Sequence, residues 1–232
     1  RELRSINLAE NNKFFLWHTW FSDVFNREDK EGFDIVIGNP PYIGEKGHKE
    51  IFQPVKADIH LGQYYLGKMD YFYFFFHLAF NMLSPSGVAT FITTNYYPTA
   101  LGARKLRADI KDRINIRTLF NLGELRLFEN APGQHNMISS FAKGKDGCKC
   151  QVIDVHKKGA LNPLMFTSII SRKDEDTAYA DVAQEDLYDG EENYIRLQNS
   201  SGDNPLSSLL YKIQLGNNTL GNIAEVNAGI MG

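Results

Sequence analysis

The clearest pattern of apolar positions along the chain is Phe33-Asp34-Ile35-Val36-Ile37-Gly38. Its length and β-branched content are those of a buried strand. Pro40 and Pro41 end it, because neither carries an N–H for a ladder. Asn39 and Tyr42 therefore sit on a rigid turn at the strand's carboxyl end, where open α/β sheets bind ligands. Residues 14–25 upstream are rich in aromatics, and a charged turn over 27–32 joins them to the strand. Downstream, 43–69 reads as a long loop holding several glycines and lysines and Pro54, and loops of that length usually carry function or move. Residues 71–83 are apolar nearly all round, the mark of a buried helix, with Asp70 at the N-cap and Ser84-Pro85-Ser86-Gly87 as the stop. Strands follow at 88–93, 114–122 and 137–142, with an amphipathic helix at 99–113. This alternation predicts an α/β fold with a parallel sheet.

The character changes past Lys143. Residues 150–156 predict one more strand, 172–192 are acid-rich without a clear apolar period, and 194–197 and 206–213 predict a short strand and a short helix. Residues 1–12 read as helix or linker. A boundary is expected at 147/148.

Composition narrows the function. With 232 residues, 43% of them hydrophobic, the chain can bury one sizeable core. A net charge of −3 excludes a globally basic nucleic-acid binder, so any such site must be a local patch. Cys148 and Cys150 alone do not make a zinc site, and no metal is expected. No signal peptide is apparent, and the apolar stretch 71–83 is too short to span a bilayer, so the expected location is the cytoplasm.

The turn at 39–42 has a definite chemistry. An asparagine side-chain oxygen and a carbonyl held by a proline ring are two acceptors that can converge on one amino group. Holding both its protons frees the nitrogen lone pair from conjugation, which makes a poor nucleophile competent. Tyr42 can lie flat against a planar substrate. The competing reading is a proline-rich turn with a buried tyrosine.

Residues 33–42 resemble the catalytic motif of the N6-adenine DNA methyltransferases, and the surroundings resemble the branch found in type IIG restriction–modification systems. Residues 17–25 with 32–38 are similar to its approach to the motif, 67–75 to its next helix, 87–95 to the following strand and 101–110 to the helix after that. Phe128-Glu129-Asn130-Ala131 with 136–140 resembles the late motif that completes the base pocket, and 220–232 resembles the entry to a DNA-specificity domain. The resemblance implies the carboxyl-terminal half of a Rossmann-like S-adenosylmethionine-dependent sheet at 1–147. It implies a small α+β extension and the start of a specificity domain at 148–232. Asn39 and the Pro40 carbonyl would hold the adenine amino group, Tyr42 and Phe128 would stack on the flipped base, and Pro41 would close the pocket for the cofactor's adenine. Asp23, Asp70 and Phe75 would lie beside the cofactor's adenine, although Asp23 also reads as a turn cap and Phe75 as core. Lys46, Lys49 and Lys56 would meet the DNA backbone. The basic residues of 99–113 read first as a solvated face.

The family's Gly-rich cofactor turn has no counterpart in this sequence, and no nuclease motif precedes residue 33. The chain is thus expected to be an internal part of a longer prokaryotic, nucleoid-associated enzyme acting on double-stranded DNA, inactive alone, with nuclease and specificity domains elsewhere in the polypeptide. Two alternatives stay open: an amino-group methyltransferase acting on protein glutamine or RNA, and a non-catalytic DNA-binding subunit.

Overall fold

Strand β1 spans Phe33–Gly38, as its apolar run requires. The computed structural model describes residues 16–128 and 133–197, so the elements expected at 1–12 and 206–213 lie outside the described residues. The chain divides into two units, Arg1–Leu197 and Gln198–Gly232, and the first is the one described. Two helical turns, α1 (Trp17–Trp20) and α2 (Ser22–Phe25), lead into β1. Trp17, Phe21 and Phe25 meet the ring of Phe33 edge-on, with centroids no more than 6.0 Å away.

The segment expected as a loop at 43–69 contains helix α3 (Lys49–Ala57) and a 3-10 turn at Gly62–Tyr64. Pro54 lies inside α3, where it removes one backbone bond, and this hid the helix from its pattern. Helix α4 (Phe72–Met82) follows, then β2 (Leu83–Thr94). Residues 84–87, expected as a stop, already belong to β2. Leu83 pairs with Phe33, and an irregularity between Phe33 and Ile35 restores register at Val88. Gly87 permits this approach, since a Cβ there would lie 2.5 Å from the Phe33 carbonyl oxygen. Next come a 3-10 turn at Leu101–Ala103, α5 (Arg104–Arg113), β3 (Ile114–Asn121), β4 (Leu125–Arg126) and β5 (Asn136–Lys143). The described residues close with β6 (Cys150–Val155), β7 (Gly159–Ala160), α6 (Pro163–Ile170), β8 (Thr177–Val182), β9 (Tyr188–Asp189) and β10 (Tyr194–Ile195). No helix among these residues is long and apolar enough to cross a membrane.

The main sheet has the order β1-β2-β5-β3-β6-β8. It is α/β as expected but mixed rather than parallel. β1 and β2 are parallel, as are β3 and β6, whereas β5 runs antiparallel to both its neighbours and β8 antiparallel to β6. A parallel partner needs a long crossover, and no helix is described between β3 and β5. The sheet continues through β6 and β8, past the change of character near residue 147. The carboxyl ends of β1, β2, β3 and β6 share one rim.

One face of the sheet carries α4 and α5 over a core of aromatics. Phe76 is fully buried, with Phe91, Tyr97 and Phe141 around its ring at 4.8, 5.4 and 5.3 Å. A smaller cluster on the other face joins Phe120, Ile153 and Ile169. Ile35 and Ile37 of β1 are exposed, at 68% and 79%.

The basic residues of α5 are not simply solvated. Arg107 is fully buried and donates to the carbonyls of Tyr97, Ala100 and Glu192, with its guanidinium over the Tyr194 ring. Lys111 donates to Asn193 and Arg104 pairs with Glu192. These charges tie residues 188–196 to the helix.

Phe76→Ala should destabilise the fold by about 3–5 kcal/mol, the cost of an aromatic removed from a closed core. Denaturant unfolding followed by circular dichroism measures this, and a loss below about 1 kcal/mol would contradict so central a place for the ring.

Candidate active site

The double proline does in the structure what its chemistry dictates. Asn39 is exposed immediately after β1, the Pro40 ring is buried, Pro41 is exposed and Tyr42 is half-buried. Tyr42 Oη lies 2.6 Å from Asn39 Oδ1 and 2.9 Å from the carbonyl oxygen of Ile92 on β2. Its ring meets Phe72 edge-on at 6.0 Å. Burial pushes the phenol up to about 12, so it keeps its proton at any physiological pH.

The chain leaving the turn is fastened at once. Tyr71 donates its N–H to the Ile43 carbonyl, Glu45 does the same to that of Met69, and Gly44 bridges Asp70. The Glu45 carboxylate accepts the Tyr65 hydroxyl, which holds its pKa below the ordinary value. Further out, Tyr64 stacks on His77 of α4 at 3.6 Å, with the rings 9° apart. Lys105 of α5 donates to the carbonyls of Gln63 and Tyr65. Residues 43–69 thus rest on α4 and α5 at several points.

His77 anchors this contact from inside. It is fully buried and its Nδ1 donates to Asp109 Oδ2 at 2.6 Å, while Asp109 also receives Arg113. Burial lowers the His77 pKa, against the opposing pull of Asp109. Burial works against the Asp109 charge too, but the bonds from His77 and Arg113 outweigh it and the net direction is down.

The other expected site residues fall in different places. Phe75 lines a cavity of about 170 Å³ with Trp17, Ile37, Gly38 and Phe91, and every lining residue is apolar. Asp70 lines a separate cavity of about 700 Å³ with Lys46, Lys49 and Lys68. Its carboxylate does not cap α4 as expected; it accepts the Tyr73 hydroxyl at 3.2 Å, and burial raises its pKa. Asp23 is exposed on α2. Lys56 lies over the ring of Tyr65 at 5.1 Å. Phe128 is half-buried, beyond β4 on the chain that leaves the rim end of β3. The Phe75 cavity suits a planar ring, but its apolar lining offers nothing to the polar remainder of S-adenosylmethionine.

One feature of the rim escaped the sequence reading. Asn95 donates to Asn121 Oδ1 at 2.9 Å, and Asn121 donates to Asp154 Oδ1 at 2.7 Å. His156 Nε2 lies 3.2 Å from the other Asp154 oxygen. Each of these residues stands at or just past the carboxyl end of its strand, and that recurrence was the available signal. Cys150 is buried in β6, where desolvation pushes its thiol up to about 12, as suits an inert core thiol.

The fold is that of the methyltransferase subunits of restriction–modification systems. The chain superposes on the type I methyltransferase subunit from Streptococcus thermophilus with a TM-score of 0.50 and 16% identity, covering 73% of this chain and 38% of that one. The Eco57I restriction-modification methylase family model matches residues 2–128, more than half of the sequence, and the chain belongs to that family. Among curated relatives it is 25% identical over 141 residues to the type II methyltransferase M.HincII of Haemophilus influenzae, covering 60% of this chain and 28% of that protein. The type II methyltransferase M.HindII of the Rd strain matches with the same identity over the same length, 27% of that protein. The chain thus spans just over a quarter of the length of these relatives. The family match includes Asn39–Tyr42 and ends at Phe128.

His77 gives a pH prediction. Its folded pKa lies below the unfolded value of 6.5, so the unfolded chain takes up the extra proton as pH falls through and below 6.5. Asp109, also depressed, adds loss in the same direction at lower pH. Stability should therefore be fully present above pH 6.5 and fall on acidification, and a His77→Gln variant should show a flatter slope over the first part of that fall. Urea midpoints between pH 5 and 8 test this, and equal slopes would count against it.

Proposed function

We propose that this chain is the catalytic-motif portion of a site-specific DNA methyltransferase within a restriction–modification enzyme, one that methylates the exocyclic amino group of a flipped adenine. The observation that carries the reading is the Asn39-Pro40-Pro41-Tyr42 turn, with an exposed carboxamide and a tethered tyrosine at the carboxyl end of β1. Asn39 Oδ1 and the Pro40 carbonyl accept the two amino protons, which turns the nitrogen lone pair out of the ring system. Tyr42 stacks on one face of the base and Phe128 contacts the other. Flipping is required because the amino group is otherwise engaged in pairing.

When bound, S-adenosylmethionine would supply the methyl group; of the residues expected to hold it, Phe75 and Gly38 beside the turn line a cavity that would take its adenine ring, whereas Asp70 lines a separate cavity and Asp23 is exposed on α2. The amino nitrogen would take the methyl as its bond to the donor sulfur breaks, leaving a neutral thioether, and one amino proton would pass to solvent, so no covalent enzyme intermediate is needed. Lys46, Lys49 and Lys56 face the DNA backbone from the segment that leaves the turn. Residues 1–147 form the catalytic part and 148–232 lead toward a DNA-reading domain. Further strands of the same sheet cover Ile35 and Ile37, whose exposure on an edge strand supports this arrangement. The protein works in the prokaryotic cytoplasm on nucleoid DNA.

In the full-length protein, Asn39→Ala should abolish transfer of labelled methyl groups to adenine in DNA. Phe128→Ala should weaken it by a smaller factor, since stacking on one base is worth about 1–3 kcal/mol. Methylation at the wild-type rate by Asn39→Ala would overturn the reading.

The sequence has no Gly-rich turn behind a first strand, so residues 1–232 alone should bind S-adenosylmethionine more weakly than the micromolar range. Titration calorimetry on this chain decides the point, and micromolar binding would refute it.

A further inference from the structure

The Tyr42 hydroxyl faces two oxygens, Asn39 Oδ1 at 2.6 Å and the Ile92 carbonyl at 2.9 Å. A phenol has one proton, and both distances are those of real hydrogen bonds. One proton makes a full-strength bond to only one of two such acceptors, and sharing it between both weakens each. The backbone carbonyl of Ile92 is fixed in β2 and can only accept. The carboxamide of Asn39 is different, because a half-turn about its last bond exchanges oxygen and NH2 with no change of shape.

We infer that Asn39 rests with its NH2 toward Tyr42, so that Nδ2 donates to Tyr42 Oη, the hydroxyl donates to the Ile92 carbonyl, and Asn39 Oδ1 faces outward. Every group then has a partner of the right polarity. Asn39 is exposed, so the outward oxygen is open to an incoming molecule. With the amide the other way round, Asn39 would present two N–H donors to a substrate amino group that itself only donates.

Tyr42 then has two separable parts. Its ring is a surface for a base. Its hydroxyl is a positioning group that acts through Asn39 and sets which atom the site offers. The direction of the chain Asn39 to Tyr42 to Ile92 is fixed at its far end by a β-strand carbonyl, so strand β2 dictates the polarity of the catalytic amide. This inference rests on the proposed reading of the turn as an amino-group site, and it adds a residue-level device to it.

Tyr42→Phe separates the two parts, since it keeps the ring and removes the hydroxyl. In the full-length protein kcat should fall roughly ten- to hundredfold, the scale of a misaligned catalytic group, while KM for DNA stays within about twofold. Tyr42→Ala, which also removes the ring, should raise KM as well. Unchanged kcat in Tyr42→Phe would overturn the inference.

A second readout does not depend on methylation. In amide-detected NMR of the 232-residue chain, one Asn39 side-chain N–H should be shifted downfield and slow to exchange, identified by its loss in Asn39→Ala. Tyr42→Phe should return it to the free position with the rest of the spectrum kept. Identical Asn39 side-chain signals in both proteins would refute the hydrogen bond. If the wild-type enzyme methylated no adenine, the site reading would fail, and the NMR result would still decide the orientation of the amide.

Discussion

The geometry of the site depends on one packing arrangement, the enclosure of Phe76 by aromatic rings from three other elements. Phe76 leaves α4 and meets Phe91 of β2, Tyr97 of the turn after β2, and Phe141 of β5. Aromatic contacts of this kind add to a large burial term and also fix orientation. They set the roll of α4 on the sheet, and with it Phe72 at its first turn, whose ring meets Tyr42. They also set β2, whose Ile92 carbonyl receives the Tyr42 hydroxyl. The turn at 39–42 is thus held from two sides by elements that the same core locks together. Prolines alone would make that turn stiff; the core gives it a place.

Much of this was legible in the sequence. The β1 run matches the strand's bounds to the residue, although the strand expected to be buried lies at the sheet edge with Ile35 and Ile37 exposed. Helix α4 and strands β3, β5 and β6 each lie within a residue or two of their patterns, because local periodicity and burial agree there. The failures share a cause: a local signal was overridden by tertiary context. Ser84–Gly87 looked like a stop, yet Gly87 lets the start of β2 press against Phe33. Pro54 looked like a loop residue, yet α3 tolerates it with Phe52 buried on its inner face. β8 sits in an acid-rich stretch without a clear apolar period, and it pairs with the edge that β6 offers. The antiparallel course of β5 is a property of its connection, which periodicity within the strand cannot report.

The turn at 39–42 stands out in the sequence because a proline pair is rare after a strand, and the structure places Asn39 and Tyr42 together at the end of β1. The rim of Asn95, Asn121 and Asp154 was not found, since each is one polar residue at a strand end and only the sheet order makes them neighbours. Arg107 shows the opposite error. It looked like part of a basic surface, but its five N–H donors suit a cluster of backbone carbonyls, and it satisfies three of them inside the protein.

Charge was spent in the same way across α5. Lys105, Lys111 and Arg104 each hold another segment in place, so that helix has little positive charge left over for an external anion. Near the turn at 39–42, Lys46, Lys49 and Lys68 line the larger cavity, and Glu45 and Asp70 share that lining. A mixed lining of this kind attracts a polyanion only weakly at long range and discriminates by position at short range. Under the proposed function, that suits an enzyme with net charge −3 whose affinity for DNA comes from elsewhere and whose turn needs only to align one base. Under the same reading, rigidity around Asn39 would serve the chemical step and would be independent of how the duplex is first captured.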